Sequence, residues 1–283
     1  MNEKSFRFSV GNLECIALRD ATEATPLKDL SPGASRPAFV RTLSAQGLSA
    51  AEVTLEFNCL FVRSGKEAIA IDVGWGNCTE RLQGEFLTNL HAEGVSPRDV
   101  DLVIITHHDR DHVAGIVGPE GALAFPNAHH VMAREGWAWY SEEANLATMP
   151  APEAAFHRLA RPLLKEHVVL VQGEAEMSPG IRVIPAPGHQ PGHMIVELHS
   201  EGERLLHLAD TMLHPLFVGH PEWGTGFDHA PEEALATRRR LLSRAASDDS
   251  LVFLSHFPFP GLGHVRKDGK AWRWVPLDSP SGA

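Results

Sequence analysis

The chain has 283 residues, 43% of them hydrophobic and 22% charged, the proportions of an ordinary globular protein with ample material for a core. Its formal net charge of −11 argues against a broad nucleic-acid footprint, which needs a basic face. Three cysteines, Cys15, Cys59 and Cys78, with no Cys-x-x-Cys among them, argue against a disulfide framework and against a thiolate zinc site.

Residues 1–8 lack an apolar signal core, and no run approaches the length of a membrane span, so the expectation is a cytoplasmic protein. Residues 5–19 alternate apolar and polar around Gly11, as an edge hairpin does. Residues 22–50 are rich in Pro, Ser and Gly and read as a loop with a short helix, a candidate arm for a homodimer. Strands are expected at 54–62 and 67–73, joined by the turn Ser64-Gly65-Lys66. Leu82, Phe86 and Leu90, at i, i+4 and i+8, predict an amphipathic helix over 79–93. Ser96-Pro97-Arg98-Asp99 is a cap-like turn before an apolar strand at 100–105. A helix starts at His112, a strand covers 128–132, and 133–148 and 152–165 read as helical. Strands follow at 168–171, 181–184, 194–198 and 204–208. Residues 231–246 form a strong helix with Pro231 at its start; Arg238-Arg239-Arg240 on it reads as a solvated face. Residues 251–254 are expected as the last core strand, and 276–283 as a frayed tail. Strand and helix blocks alternate with no polar linker, so 1–283 reads as one α/β (α+β) domain, two sheets face to face with helices outside.

The chemistry sits at strand ends. The run 100–105 delivers Thr106-His107-His108-Asp109-Arg110-Asp111-His112, which read at alternate positions is His-x-Asp-x-Asp-His. Imidazole nitrogen and carboxylate oxygen are the usual ligands of divalent first-row metals, and four candidates in six residues suggest two metals close together. Three more apolar runs end in the same way: 181–184 before Pro187-Gly188-His189-Gln190-Pro191-Gly192-His193, 205–209 before Asp210, and 251–255 before His256. Functional residues concentrate in loops on a rigid scaffold, and 17 histidines in one chain make four coincidences a poor explanation.

This ordered set resembles the metallo-β-lactamase superfamily of metal-dependent hydrolases, over about Asn58 to His264. Asp72-Val73-Gly74 resembles the strand-ending Asp-x-Gly of that family, Thr106 to His112 its signature loop, and Gly188 to His193 its third motif. Asp210 resembles the metal-bridging Asp and His256 the last ligand. The segment Ser255 to His264, with His220-Pro221-Glu222-Trp223, is similar to the branch containing methyl parathion hydrolase and related lactonases. The resemblance implies an αββα sandwich with two divalent metals at one edge. It implies one site of His107, Asp109 and His189, and a second of Asp111, His112 and His256, with Asp210 bridging. The usual signature is His-x-His-x-Asp-His, and here Asp109 stands in the second His place. His108 lies one residue off register, so alternation favours Asp109 as the ligand. The more anionic first site should then favour manganese or iron relative to zinc.

Two such metals share a hydroxide and lower its pKa, which supplies a nucleophile without Ser or Cys; no Gly-x-Ser-x-Gly is present. Asp111 is expected to orient it or carry a proton, Asp72 to hold a ligand His from behind, and His193 to support rather than ligate. Trp75 and Trp223, with Phe217 and Phe259, are candidate pocket walls, and His214 and His264 candidate substrate contacts; for each, plain packing is as good a reading. The expected function is a dinuclear hydrolase of a lactone or other carboxylic ester, with phosphotriesters as a further class. A di-iron oxidoreductase and a metallo-nuclease are the alternatives. The expected partner is a small-molecule substrate, with neither nucleic acid nor membrane.

Overall fold

Apolar runs buried on both faces send alternate side chains into two different cores, and this period of two organises the first half of the chain. In the computed structural model, which describes residues 3–31, 36–45, 52–77, 82–118 and 121–277, Leu60, Val62, Ile69, Ile71, Leu102 and Ile104 face inward between two sheets. Their neighbours Cys59, Phe61, Ala68, Ala70, Val103 and Ile105 face outward onto helices.

Among the described residues, the first sheet runs β1 (Ser5–Val10), β2 (Leu13–Pro26), β3 (Glu52–Ser64), β4 (Glu67–Ile71), β5 (Leu102–Ile104), β6 (His129–Ala133), β7 (Val168–Val171), in that order. The second runs β8 (Ala175–Ser178), β9 (Ile181–Pro185), β10 (Met194–Ser200), β11 (Glu203–His207), β12 (Leu251–Phe253), β13 (Leu262–Asp268), β14 (Ala271–Pro276). β1 to β4 pair antiparallel and β4 to β7 parallel. In the second sheet only β11 and β12 pair parallel.

Parallel neighbours need crossover connections, and these supply the outer layers. α3 (Phe86–Ala92) lies between β4 and β5, and α4 (Arg110–Val113) between β5 and β6. α5 (Arg134–Trp139), α6 (Glu143–Leu146) and α7 (Ala151–Leu164) precede β7, and α8 (Leu216–Gly219) and α9 (Pro231–Asp248) precede β12. α3 and α7 cover the first sheet through Phe86, Leu90, Phe156, Ala160 and Leu164. α9 covers the second through Leu241, Leu242 and Ala245. The result is the expected αββα sandwich. Every crossover leaves the carboxyl end of a parallel strand, so the loops after β4, β5, β11 and β12 gather at one edge, where α/β folds bind ligands. β9 runs parallel to β11 because both pair antiparallel with β10, so the turn after β9 reaches the same edge.

Several elements differ from the sequence reading. The segment expected as a loop from residue 22 begins as strand: β2 continues to Pro26, paired with β3 down to Glu52. α1 (Leu27–Leu30) and α2 (Arg36–Ala45) follow, with Leu30, Phe39 and Leu43 buried in this chain's own core. The rest of that arm, 32–35 and 46–50, lies outside the described residues, as do Cys78 and the tail from 278. Of the helix expected over 79–93, residues 79–81 lie outside the described residues, 82–85 are not helical, and the helix begins at Phe86. The start is set by Asp20, whose carboxylate accepts from Phe86 N at 2.8 Å. β8, β13 and β14 were not anticipated. β13 is rich in charge at its far end, and its partner β14 places Trp272 rather than an aliphatic run in the core, so neither reads as a core strand locally.

Asp20 is fully buried and staples the loop that carries Asp72, its other oxygen accepting from Trp75 N at 2.8 Å. Burial pushes its carboxyl up to about 6. Gly74, at φ +71°, leaves room for it: a Cβ there would lie 2.3 Å from Asp20 Cγ. Gly74→Ala is therefore expected to cost about 3 kcal/mol or more, from backbone strain plus overpacking. Gly65→Ala, with a similar φ of +62° and no atom within 4 Å of the added Cβ, should cost about 1 kcal/mol. Denaturant unfolding checks this, and equal losses would remove the steric argument.

Candidate metal centre

Each loop brings its polar residues in with a fixed ring orientation. His112 Nδ1 lies 2.8 Å from Asp72 Oδ2, and His107 Nδ1 lies 3.0 Å from Thr106 Oγ1. The Thr106 hydroxyl donates to Asp72 Oδ2 and its N–H donates to Asp72 Oδ1, both at 2.8 Å. His256 Nδ1 donates to the Glu56 carbonyl at 3.0 Å, and His189 Nδ1 faces Asp228 Oδ1 at 3.3 Å. All four rings thus spend Nδ1–H on an oxygen behind them, leaving the Nε2 lone pair for the centre.

The four Nε2 atoms converge on Asp210. Its Oδ1 is 3.1 Å from His112, and its Oδ2 is 3.0 Å from His256, 3.5 Å from His189 and 3.7 Å from His107. Asp111 Oδ2 lies 3.3 Å from both His112 and His256. Asp109 Oδ2 lies 3.3 Å from His189 and 3.5 Å from His107. Two groups result, Asp111, His112, Asp210 and His256 in one and His107, Asp109 and His189 in the other, with ligand atoms within 4.8 Å of one another in each.

His107, His112 and His189 Nε2 and Asp210 Oδ1 are buried with no hydrogen-bond partner. Orphaned buried acceptors are costly, and here they all face one point. The electrostatics agree. Burial alone would depress His112, but Asp210, Asp111 and Asp72 hold it well above the ordinary value. The same contest raises His189 to about 10, through Asp109, Asp228 and Asp210, and raises His256 through Asp210 and Asp111. At Asp72 burial is outweighed by His112, so its carboxyl sits low. A cluster that draws positive charge this strongly, with three carboxylates and oriented lone pairs, fits divalent cations.

The backbone is bent to present these groups. Asp72 has φ +56° and Ala209, just before Asp210, has φ +46°; such outliers gather at functional sites. His193 stands behind: its Nδ1 donates to the Ala186 carbonyl at 2.9 Å, and its Nε2 accepts from Asp210 N at 3.3 Å. Burial pushes it well below the usual value, which keeps Nε2 an acceptor. His108 turns away from the cluster and stacks on Tyr140 at 4.6 Å. Trp75 reaches the rim through Phe57, which meets it edge-on at 5.6 Å and His256 at 5.0 Å.

The remaining candidates are not among the clustered ligand-type groups. His214 accepts from Leu216 N at 3.3 Å at the start of α8. His264 pairs with Asp249 at 3.4 Å, beside the amino end of β12, whereas His256 follows its carboxyl end. Trp223 stacks on Phe39 at 4.8 Å and on His220 at 3.9 Å, and Phe217 is core.

Sequence reasoning missed Asp228 and misread Arg238. Arg238 is 2% exposed, not solvated. It holds both Asp228 oxygens at 2.8 and 2.7 Å and donates through Nε to the Thr211 carbonyl at 2.6 Å. The helical stripe Ala234, Arg238, Leu241, Leu242 and Ala245 carries the signal: at period 3.6, Arg238 shares the apolar face, while Arg239 and Arg240 do not.

A family model described as the metallo-beta-lactamase superfamily matches residues 57–256. N-acyl homoserine lactonase AiiA of Bacillus thuringiensis subsp. kurstaki is 27% identical over 171 residues, 58% of this chain and 58% of its own length. The N-acyl homoserine lactonase of Bacillus cereus is 26% identical over 182 residues, 62% of each chain. This chain thus spans less than two thirds of the length of these relatives. The fold matches AidC, a dizinc quorum-quenching lactonase solved with the product N-hexanoyl-L-homoserine, with a TM-score of 0.89 at 23% identity over 97% of this chain and 98% of that one. It matches hydrolase AbOPH with a TM-score of 0.89 at 25% identity over 99% and 100%. The family match runs from β3 to the loop after β12 and so contains every clustered histidine: the chain belongs to the metallo-beta-lactamase superfamily.

Proposed function

We propose that this chain hydrolyses lactones, with N-acyl homoserine lactones as the first class to test, using two divalent cations. The convergence of four imidazole Nε2 atoms and three carboxylates on one buried point carries the reading, and the lactonases among its relatives support the substrate class. In this reading His107, Asp109 and His189 hold one cation, Asp111, His112 and His256 the other, and Asp210 serves both. Bound there, such cations supply Lewis-acid polarisation of a carbonyl oxygen and acidify water.

The residues supply the rest. Asp72, Thr106, Asp228 and the Glu56 carbonyl keep the four rings in one tautomer. Asp111, with a side chain 14% exposed, is more open than Asp210 at 4%. It is the carboxylate placed to take a proton from water as the oxygen adds to the lactone carbonyl carbon, and to pass it to the ring oxygen as the acyl–oxygen bond breaks. Phe57 and Trp75 form an apolar wall beside His256. Arg110 lies over Trp75 at 5.4 Å with its charge met by Glu153 at 2.8 Å.

The test is hydrolysis of N-acyl homoserine lactones, a simple butyrolactone, an acyclic ester and a phosphotriester, before and after chelation. Lactone turnover should exceed acyclic ester turnover by about tenfold or more, through pocket fit. It should vanish on chelation and return with zinc or manganese. Turnover that survives complete metal removal, or a phosphotriester preferred over every lactone, would overturn the proposal.

A further inference from the structure

A carboxylate in a place where the family signature has imidazole brings a difficulty of its own. An imidazole with Nδ1 tied offers one lone pair in one direction. A carboxylate offers two oxygens, rotates about a short side chain and carries a full charge. Asp109 is also the most open member of its group, with a side chain 27% exposed against 0% for His107 and 3% for His189. It stands at the N-cap of α4, where an Asp side chain ordinarily accepts from the helix backbone, yet it makes no such bond. Something else must hold it toward His107 and His189.

Gln190 does so. Its Nε2 donates to Asp109 Oδ2 at 3.3 Å and to the Phe227 carbonyl at 3.3 Å. Its Oε1 accepts from the Tyr140 hydroxyl at 3.2 Å. A carbonyl and a carboxylate can only accept, so both require the NH₂ side of the amide. The hydroxyl on the other side donates to the amide oxygen. The carboxylate and the carbonyl select this amide orientation, since a flipped Gln190 would set oxygen against oxygen twice, and the Tyr140 hydroxyl completes it as a donor. Tyr140 is itself locked. It is 3% exposed, stacked on His108 at 4.6 Å and packed on His157 at 4.5 Å. His108 is in turn wedged against Gly136, where a Cβ would come within 2.9 Å of its ring. This also gives the unligating member of the His107-His108 pair a role.

We infer that Tyr140 and Gln190 are positioning residues, a relay that holds Asp109 in place as the oxygen donor of the group with His107 and His189. The inference rests on the reading that Asp109 holds a metal. Its specific consequence is that an imidazole at position 109 makes the relay redundant.

The experiment measures stepwise zinc affinity of the metal-stripped protein by competition with a chromophoric chelator, repeated with manganese. The variants are Asp109→Ala, Tyr140→Phe, Gln190→Met, Asp109→His, and Asp109→His combined with Tyr140→Phe. Tyr140→Phe keeps the ring in its stack, and Gln190→Met removes the amide independently at similar volume. Each should weaken one binding step by about tenfold, the size expected for a partner behind a ligand, and leave the other within about twofold. Asp109→Ala should weaken the same step by more. With Asp109→His in place, adding Tyr140→Phe should change neither step. If Asp109→Ala leaves both steps intact, Asp109 is no ligand and the underlying reading fails. If it weakens one step while Tyr140→Phe and Gln190→Met do not, the relay alone is overturned. A Tyr140→Phe effect on both steps, or one that persists beside Asp109→His, assigns Tyr140 to the fold instead and overturns it as well.

Discussion

Replacing Asp210 with alanine should lower turnover by about 10³-fold or more and reduce bound metal from about two ions per chain to one or none. No other side chain in the cluster lies within 3.7 Å of all four imidazole Nε2 atoms. Its removal takes away the carboxylate that faces the imidazoles of both groups. Asp111 lies near only His112 and His256, and Asp109 near only His107 and His189, so neither is placed to substitute. Asp210→Asn tests charge separately from shape, since the amide fills the same space while His193 still accepts from the backbone N–H. It should lose metal nearly as fully as the alanine variant while unfolding at the same denaturant concentration as the metal-stripped parent. Elemental analysis and lactone hydrolysis read both effects. Unchanged metal content in either variant would remove Asp210 from the centre.

Arg238→Leu should be among the most destabilising substitutions in the second sheet's helical layer, by about 3–5 kcal/mol. It strands the fully buried Asp228 carboxylate, which then has only the 3.3 Å contact to His189 and a 3.3 Å bond from Thr225 N. It also frees the Thr211 carbonyl, next to Asp210. For a chain of this length the loss corresponds to a fall in Tm of about 10 °C. Arg239→Leu, at an exposed position one residue on, should cost less than about 1 kcal/mol. Adding Asp228→Asn to Arg238→Leu should recover part of the loss, because the stranded charge is gone; residues in one network do not act additively. Equal melting temperatures for the Arg238 and Arg239 variants would refute the buried-pair argument.

These two sites show unequal legibility. Asp210 could be read from the chain because it follows the apolar run of β11, just as His107 follows β5 and His256 follows β12. Arg238 could not, because a triplet of arginines on a helix is ordinarily a solvated face, and its partner lies in a loop with no motif. His264 failed in the opposite direction: it lies near His256 in sequence, but β13 turns back and carries it toward the other end of the strand. Trp223 sits in a segment that pointed to the site, yet it packs against α2.

Local periodicity determined a great deal of this protein. Apolar runs identified most strands, their ends located the ligand-type residues, and the order of those residues pointed to the superfamily. The supports behind the ligands were decided elsewhere. Asp72 meets His112 across 40 residues, Asp228 meets His189 across 39, Gln190 meets Asp109 across 81, and the Glu56 carbonyl meets His256 across 200. A strand's side-chain alternation is set by its own backbone, so it is written in adjacent residues. A hydrogen bond between two loops depends on how two sheets and their helices pack, and no short stretch of chain encodes that.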